Sequence, residues 1–143
     1  MSLFLVVIQL ALVVLLVLPY PVVLPLSATT LVTLSAGAFL CGWTLFFNRI
    51  GNFNIRPEPK ENGRLVTSGP YRFVRHPMYT AVLLLMAAFV SVDDEPLKIV
   101  YWVLLLVVLW IKSSVEEKML IRKFPDYADY MHKTGRFLPR LFQ

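Results

Sequence analysis

From residue 3 to residue 47 the chain carries no acidic or basic side chain. The run is interrupted only by Pro19, Pro21 and Pro25, which mark a turn. A membrane-crossing helix needs about 20 apolar residues. The run therefore reads as two crossings, over residues 3–24 and 27–47. Two more apolar blocks follow at residues 77–92 and 99–112. Composition supports the same reading. Of the 143 residues, 57% are hydrophobic and 16% charged, against about 25% charged in a soluble domain. Too few polar residues remain to cover such apolar blocks in water. Disorder needs the opposite composition, and Cys41, the single cysteine, excludes a disulfide scaffold. A signal peptide over residues 3–18 is the competing reading, but no Lys or Arg precedes it and no small-x-small site follows. The expected fold is an all-α polytopic membrane bundle, one domain, with four transmembrane helices and a cytoplasmic C-terminal helix.

Charge orients this bundle. Thirteen of the fourteen Lys and Arg residues lie in the loop over residues 48–76 or in the tail from Lys112 onward. The turn between the first two blocks has none, and the 93–98 connection holds three acids and Lys98. The positive-inside rule makes the basic side cytoplasmic, with both termini there. The net charge of +5 follows from this sidedness. It does not point to nucleic acid, because no basic and aromatic surface stands free of the membrane.

The polar residues concentrate in the 48–76 loop and the 113–143 tail. The loop is long enough to be functional. In Arg75-His76-Pro77-Met78-Tyr79, Pro77 fits a first helical position and makes His76 the cap. A helix start with Arg75 and His76 beside it is suited to hold a carboxylate or phosphate. Tyr79 falls on nearly the same face as His76. The plainer reading is anchoring at the headgroup level. Glu116 and Glu117 are adjacent, about 100° apart on a helix, so they do not serve one ligand equally. Lys112 lies one turn before Glu116. A carboxylate there suits an ammonium or sulfonium, and a solvated face paired with Lys112 and Lys118 is the alternative. Pro125 opens a short helix to about Lys133 that Gly135 ends. Tyr127 and Tyr130 share one of its faces, which is read as packing at the membrane interface. No phosphate loop, dinucleotide fingerprint or metal-ligand spacing occurs.

The run Leu65-Val66-Thr67-Ser68-Gly69-Pro70-Tyr71-Arg72-Phe73-Val74-Arg75-His76-Pro77-Met78-Tyr79 resembles the signature of the isoprenylcysteine carboxyl methyltransferases and the related phospholipid methyltransferases. Glu116-Glu117, Leu120, Phe124, Tyr127, Tyr130 and Leu138-Pro139 resemble its second half. The resemblance implies an S-adenosylmethionine-dependent enzyme that methylates a lipophilic acceptor: an isoprenylcysteine carboxylate, a phospholipid or a small thiol. It implies cofactor contacts from Arg56, Gly63, Arg64, Leu65, Val66, Tyr71, His76, Pro77, Met78, Tyr79 and Glu116. Lys112 and Glu116 are the expected catalytic residues. Ala81 stands where members often have Gly, Pro125 where many have Gly, and Lys112 where the carboxyl methyltransferases carry Arg. The implied partners are membrane lipids and an acceptor entering from the bilayer, without metal or nucleic acid. The membrane is a bacterial inner membrane or the endoplasmic reticulum. Two other functions fit the pattern: a non-catalytic membrane subunit that keeps the scaffold, and a sterol-reductase-like enzyme using a nicotinamide cofactor.

Overall fold

The computed structural model describes residues 2–18, 26–52, 64–92 and 95–140. The elements in it are helical: α1 (Ser2–Val17), α2 (Ala28–Asn52), a 3-10 turn (Gly69–Arg72), α3 (Pro77–Val90), α4 (Pro96–Lys123) and α5 (Tyr127–Lys133). Among the described residues the one β-type pairing is an isolated parallel bridge between Val74 and Gly135.

The helix ends follow local chemistry. Ser27 precedes α2, and its hydroxyl accepts the Thr30 N–H at 3.1 Å, satisfying one of the free amides of a first turn. α3 and α4 each begin on a proline, Pro77 and Pro96, where a missing N–H costs nothing. Glu95 caps α4 by accepting the Leu97 N–H at 3.4 Å.

Two of the four expected crossings fall in helices long and apolar enough to span a bilayer, namely α2 and α4. α1 and α3 have 16 and 14 residues, or about 24 and 21 Å at 1.5 Å per residue. A hydrocarbon core is about 30 Å thick. α3 stops where Ser91 bonds back to Ala87 and Ala88, just before the acidic 93–95 segment. The expected 3–24 crossing extends into residues 19–25, outside the described residues.

α3 is the centre of the bundle. α2 packs against it on one side, while α1 and α4 pack against each other and against α3. The core joins Leu5, Leu12 and Leu16 of α1, Leu83 and Met86 of α3, Leu105, Val108 and Leu109 of α4, and Phe137 of the tail. The outward faces are equally apolar. Leu3, Val7, Leu10 and Val14 of α1, and Val100, Val103, Leu104, Val107 and Ile111 of α4, are exposed. A helix apolar all round belongs in a large core or a membrane, and these faces have no protein over them.

Polar ties fix the ends. Thr30 and Ser91 share a 2.8 Å hydroxyl contact that joins the start of α2 to the end of α3. The Trp102 indole donates to the Leu83 carbonyl at 2.9 Å. Lys98, the one base away from the basic side, is buried and donates to the Phe89 carbonyl in the last turn of α3, where a cation suits the helix dipole.

Candidate functional site at the basic end of the bundle

The site is assembled from the segment before α3, the far half of α4, and the tail after α5. Gly69 opens the 3-10 turn with φ +60. A side chain there would be strained by backbone and would collide with the Phe47 ring of α2. The chain then lies beside the tail. Gly135 N–H donates to the Phe73 carbonyl (3.2 Å), Arg75 N–H to the Gly135 carbonyl (2.8 Å), and His76 N–H to the Arg136 carbonyl (3.1 Å). α5 ends at Lys133 with Thr134 as its cap, so Gly135 follows directly after the helix end; it does so without a positive φ, which among the described glycines belongs to Gly69. Glycine is needed at 135 because a Cβ would meet the Leu138 carbonyl oxygen.

His76 holds the cap position of α3, but its side chain does not cap. It turns to α4 and bridges the two acids. Nδ1 lies 3.3 Å from Glu116 Oε2, and Nε2 lies 3.2 Å from Glu117 Oε1. Two carboxylates, one at each ring nitrogen, favour the imidazolium, in which both nitrogens donate. Burial by itself opposes that charge. Hydrogen bonds and charge from Glu116 and Glu117 outweigh it and hold the His76 pKa above the ordinary imidazole value.

The two acids have different fates, as their angular separation requires. Glu117, 3% exposed, accepts Arg75 Nε at 2.7 Å and Arg136 Nη2 at 2.5 Å. Arg75 Nη1 continues to the carbonyls of Met131, at 3.1 Å, and Thr134, closing the end of α5. Arg75 and His76, expected to grip an external anion, thus meet the protein's own carboxylates. Glu116 is more open, at 18% exposure, and accepts the Tyr79 hydroxyl at 2.9 Å. The Tyr79 ring stacks on His76 at 5.4 Å, nearly parallel. Phe137 stands edge-on to both rings and to Trp110.

Lys112 is buried rather than solvated. Its ammonium donates to Gln9 Oε1 of α1 at 2.9 Å and lies 5.3 Å from the Tyr79 ring centre. Burial pushes the Tyr71 hydroxyl pKa up, and the nearby Tyr130 and Glu116 add to the rise. Tyr127 and Tyr130 pack on protein, not at an outer interface. Tyr127 is fully buried, and the Tyr130 hydroxyl donates to the Tyr71 carbonyl at 2.6 Å. Burial pushes the Tyr130 pKa up to about 12 and raises that of Tyr127 further.

The structure therefore brings Tyr71, His76, Tyr79, Lys112 and Glu116 together. Pro77 is buried and starts α3. Met78 is turned towards α2, its sulfur 4.0 Å from Cys41 Sγ. Arg64, Leu65 and Val66 run without regular structure into the 3-10 turn. Arg56 and Gly63 lie outside the described residues. Sequence reasoning missed Gln9, Trp110, Arg136 and Phe137. The signal for the last two is the Gly135-Arg136-Phe137 run directly before Leu138-Pro139. Among the described residues no group of His, Cys, Asp and Glu is arranged to hold a metal.

The bundle thus combines two helices long and apolar enough to cross a membrane, exposed apolar outer faces, and an ion-paired polar centre at one end. The sequence profile of the phospholipid methyltransferase family matches residues 26–127, and the chain belongs to that family. The family is membrane-associated, and its methyltransferases generally take the methyl group from S-adenosylmethionine. The chain is 34% identical over 84 residues to the cobalt-zinc-cadmium resistance protein CzcN of Cupriavidus metallidurans, covering 57% of this chain and 38% of that protein. It is 29% identical over 85 residues to the nickel-cobalt-cadmium resistance protein NccN of Alcaligenes xylosoxydans xylosoxydans, covering 57% and 39%. An uncharacterized protein of Schizosaccharomyces pombe is 35% identical over 80 residues, covering 52% and 23%. The chain thus spans under two fifths of the length of these relatives.

Proposed function

We propose that this chain transfers a methyl group from S-adenosylmethionine to a lipophilic acceptor at the membrane boundary. The observation that carries the reading is Glu116: a partly open carboxylate held by Tyr79 and His76 where the apolar bundle meets its basic end. The donor set fits the cofactor. Glu116 offers negative charge to an ammonium or sulfonium, Tyr71 and Tyr79 offer aromatic walls, and the first turn of α3 offers a positive dipole end. Arg56 and the 63–66 segment complete the proposed contacts, with Pro77 and Met78 in the same first turn. When bound, the cofactor supplies a methyl group on positively charged sulfur.

The protein's own part is orientation and exclusion of water. His76 and Tyr79 fix both oxygens of Glu116. Such fixed geometry is the main lever for a displacement that needs alignment. Lys112, on the α1 side of Tyr79 and buried at 3% exposure, faces the apolar interior from which the acceptor would come. The acceptor class is a prenylated carboxylate, a phospholipid amine or a small thiol. We place α1 to α4 as four crossings with both termini cytoplasmic, in a bacterial inner membrane or the endoplasmic reticulum. The bundle's exposed apolar faces and the basic 48–76 loop and tail support that topology.

Calorimetry on detergent-purified protein tests the reading. Wild type binds S-adenosylmethionine. Glu116→Ala and His76→Ala each weaken it by about 10- to 100-fold, the worth of a hydrogen bond to a charged group. Incubation with methyl-labelled cofactor and native lipid extract then yields a labelled lipid. No binding by wild type, or unchanged binding by both variants, refutes the site.

A further inference from the structure

Arg136 reaches the site from two directions. Its carbonyl accepts the His76 N–H at 3.1 Å. Its guanidinium donates to Glu117 Oε2 at 2.5 Å and to Ser114 Oγ at 2.7 Å, and lies 4.4 Å from the Trp110 ring centre. One residue of the tail therefore holds the backbone of the imidazole and, through Glu117, its Nε2. A planar fork is required, because one guanidinium meets a hydroxyl, a carboxylate and an indole face together. Beside it Phe137 joins the core, and its carbonyl accepts the Thr80 hydroxyl at 2.8 Å.

We infer that Arg136 is a positioning residue of the methyl-transfer site: it pins Glu117 and His76 from the tail, so that Glu116 is the carboxylate left to face the cofactor. This rests on the proposed role of Glu116. Without Arg136, Glu117 keeps Arg75 and His76, and the imidazole is drawn towards Glu117 and away from Glu116. The charged and titratable groups around the ring are Lys112, Glu116 and Glu117 of α4, Tyr79 of α3, Tyr71 of the 3-10 turn, Arg75 beside the ring and Arg136 of the tail. Tyr127 of α5 lies within electrostatic reach of Glu117.

The test follows the imidazole resonances of wild type, Arg136→Gln, Arg136→Lys and Glu117→Gln against pH in detergent micelles. His132, exposed on α5, is the internal control. Arg136→Gln removes a cation from beside the pair, so His76 keeps its proton to higher pH, by about one pH unit. Glu117→Gln removes the carboxylate and moves the titration the other way. Arg136→Lys restores charge without the fork and falls between wild type and Arg136→Gln. S-adenosylmethionine affinity falls about tenfold in Arg136→Gln, and its pH profile is displaced in the same direction as the ring. A His76 titration unchanged in both neutral variants overturns the inference. So does an affinity loss equal at every pH, which marks Arg136 as structural glue alone. If Arg136→Gln does not fold, Arg136→Lys and Glu117→Gln decide by the same criteria. Absence of cofactor binding in wild type refutes the methyltransferase reading, while the ring titrations still decide whether Arg136 positions His76.

Discussion

Replacing Gly135 by Ala tests how the tail is held to the segment before α3. An added Cβ would meet the Leu138 carbonyl oxygen, with the Leu138 carbonyl carbon at 2.9 Å and the Arg140 nitrogen at 3.3 Å. These are backbone atoms, so no side chain can rotate away and the tail must shift. Three hydrogen bonds depend on its place, from Gly135 N–H to the Phe73 carbonyl, from Arg75 N–H to the Gly135 carbonyl and from His76 N–H to the Arg136 carbonyl. At about 1 kcal/mol each, their loss amounts to about 3 kcal/mol. For a chain of this size that lowers the melting temperature by about 10 °C. Gly42 is the control, since a Cβ there meets nothing within 4 Å. Gly42→Ala, inside α2, is neutral or stabilising by up to about 1 kcal/mol. Thermal unfolding of both variants in one detergent, followed by intrinsic fluorescence, gives the comparison. Gly135→Ala melting within about 2 °C of wild type would show that the bridge is not what holds the tail.

Three further outcomes are expected. The His76 pKa is raised in the folded protein, so its stabilising contribution is complete below the unfolded value of about 6.5 and is lost as pH rises through the folded value; the melting temperature of wild type falls over that window, and His76→Gln flattens the fall. Tyr130→Phe removes the 2.6 Å bond to the Tyr71 carbonyl, costs about 1 kcal/mol, and weakens cofactor binding by loosening the 3-10 turn, measured by melting and calorimetry. Thr30→Val and Ser91→Ala each destabilise by about 1 kcal/mol, and a double-mutant cycle gives a coupling of about 0.5–1.5 kcal/mol for their shared hydroxyl contact; zero coupling would sink that pairing.

Much of this arrangement was legible in the residues. The uncharged blocks located the helices, Pro77 placed the start of α3, and spacing put Tyr79 on the face of His76 and Lys112 on the face of Glu116. Periodicity shows which way a side chain points, not what waits for it. Arg75 and His76 have the chemistry of an anion site, and only the packing of α4 shows that Glu116 and Glu117 supply the anions. Gln9 reads as an isolated polar residue until α1 lies beside Lys112. Gly135 has the composition of a helix stop, whereas its function is close approach across a bridge between distant parts of the chain. α3 stops at Val90, two residues short of the apolar block over 77–92, because Ser91 turns back to bond Ala87 and Ala88, which composition does not show.

The parallel bridge between Val74 and Gly135 has a consequence for the order of synthesis. Domains form from the N-terminus as the chain is made. The partners of His76 arrive late: Glu116 and Glu117 come with α4, and Arg136 later still. While α4 is being made, the imidazole has neither carboxylate, and until residue 136 is in place the Glu117 side chain lacks one of its two guanidinium partners. The helices can therefore pack on one another before the polar centre exists, and the centre closes as a last step.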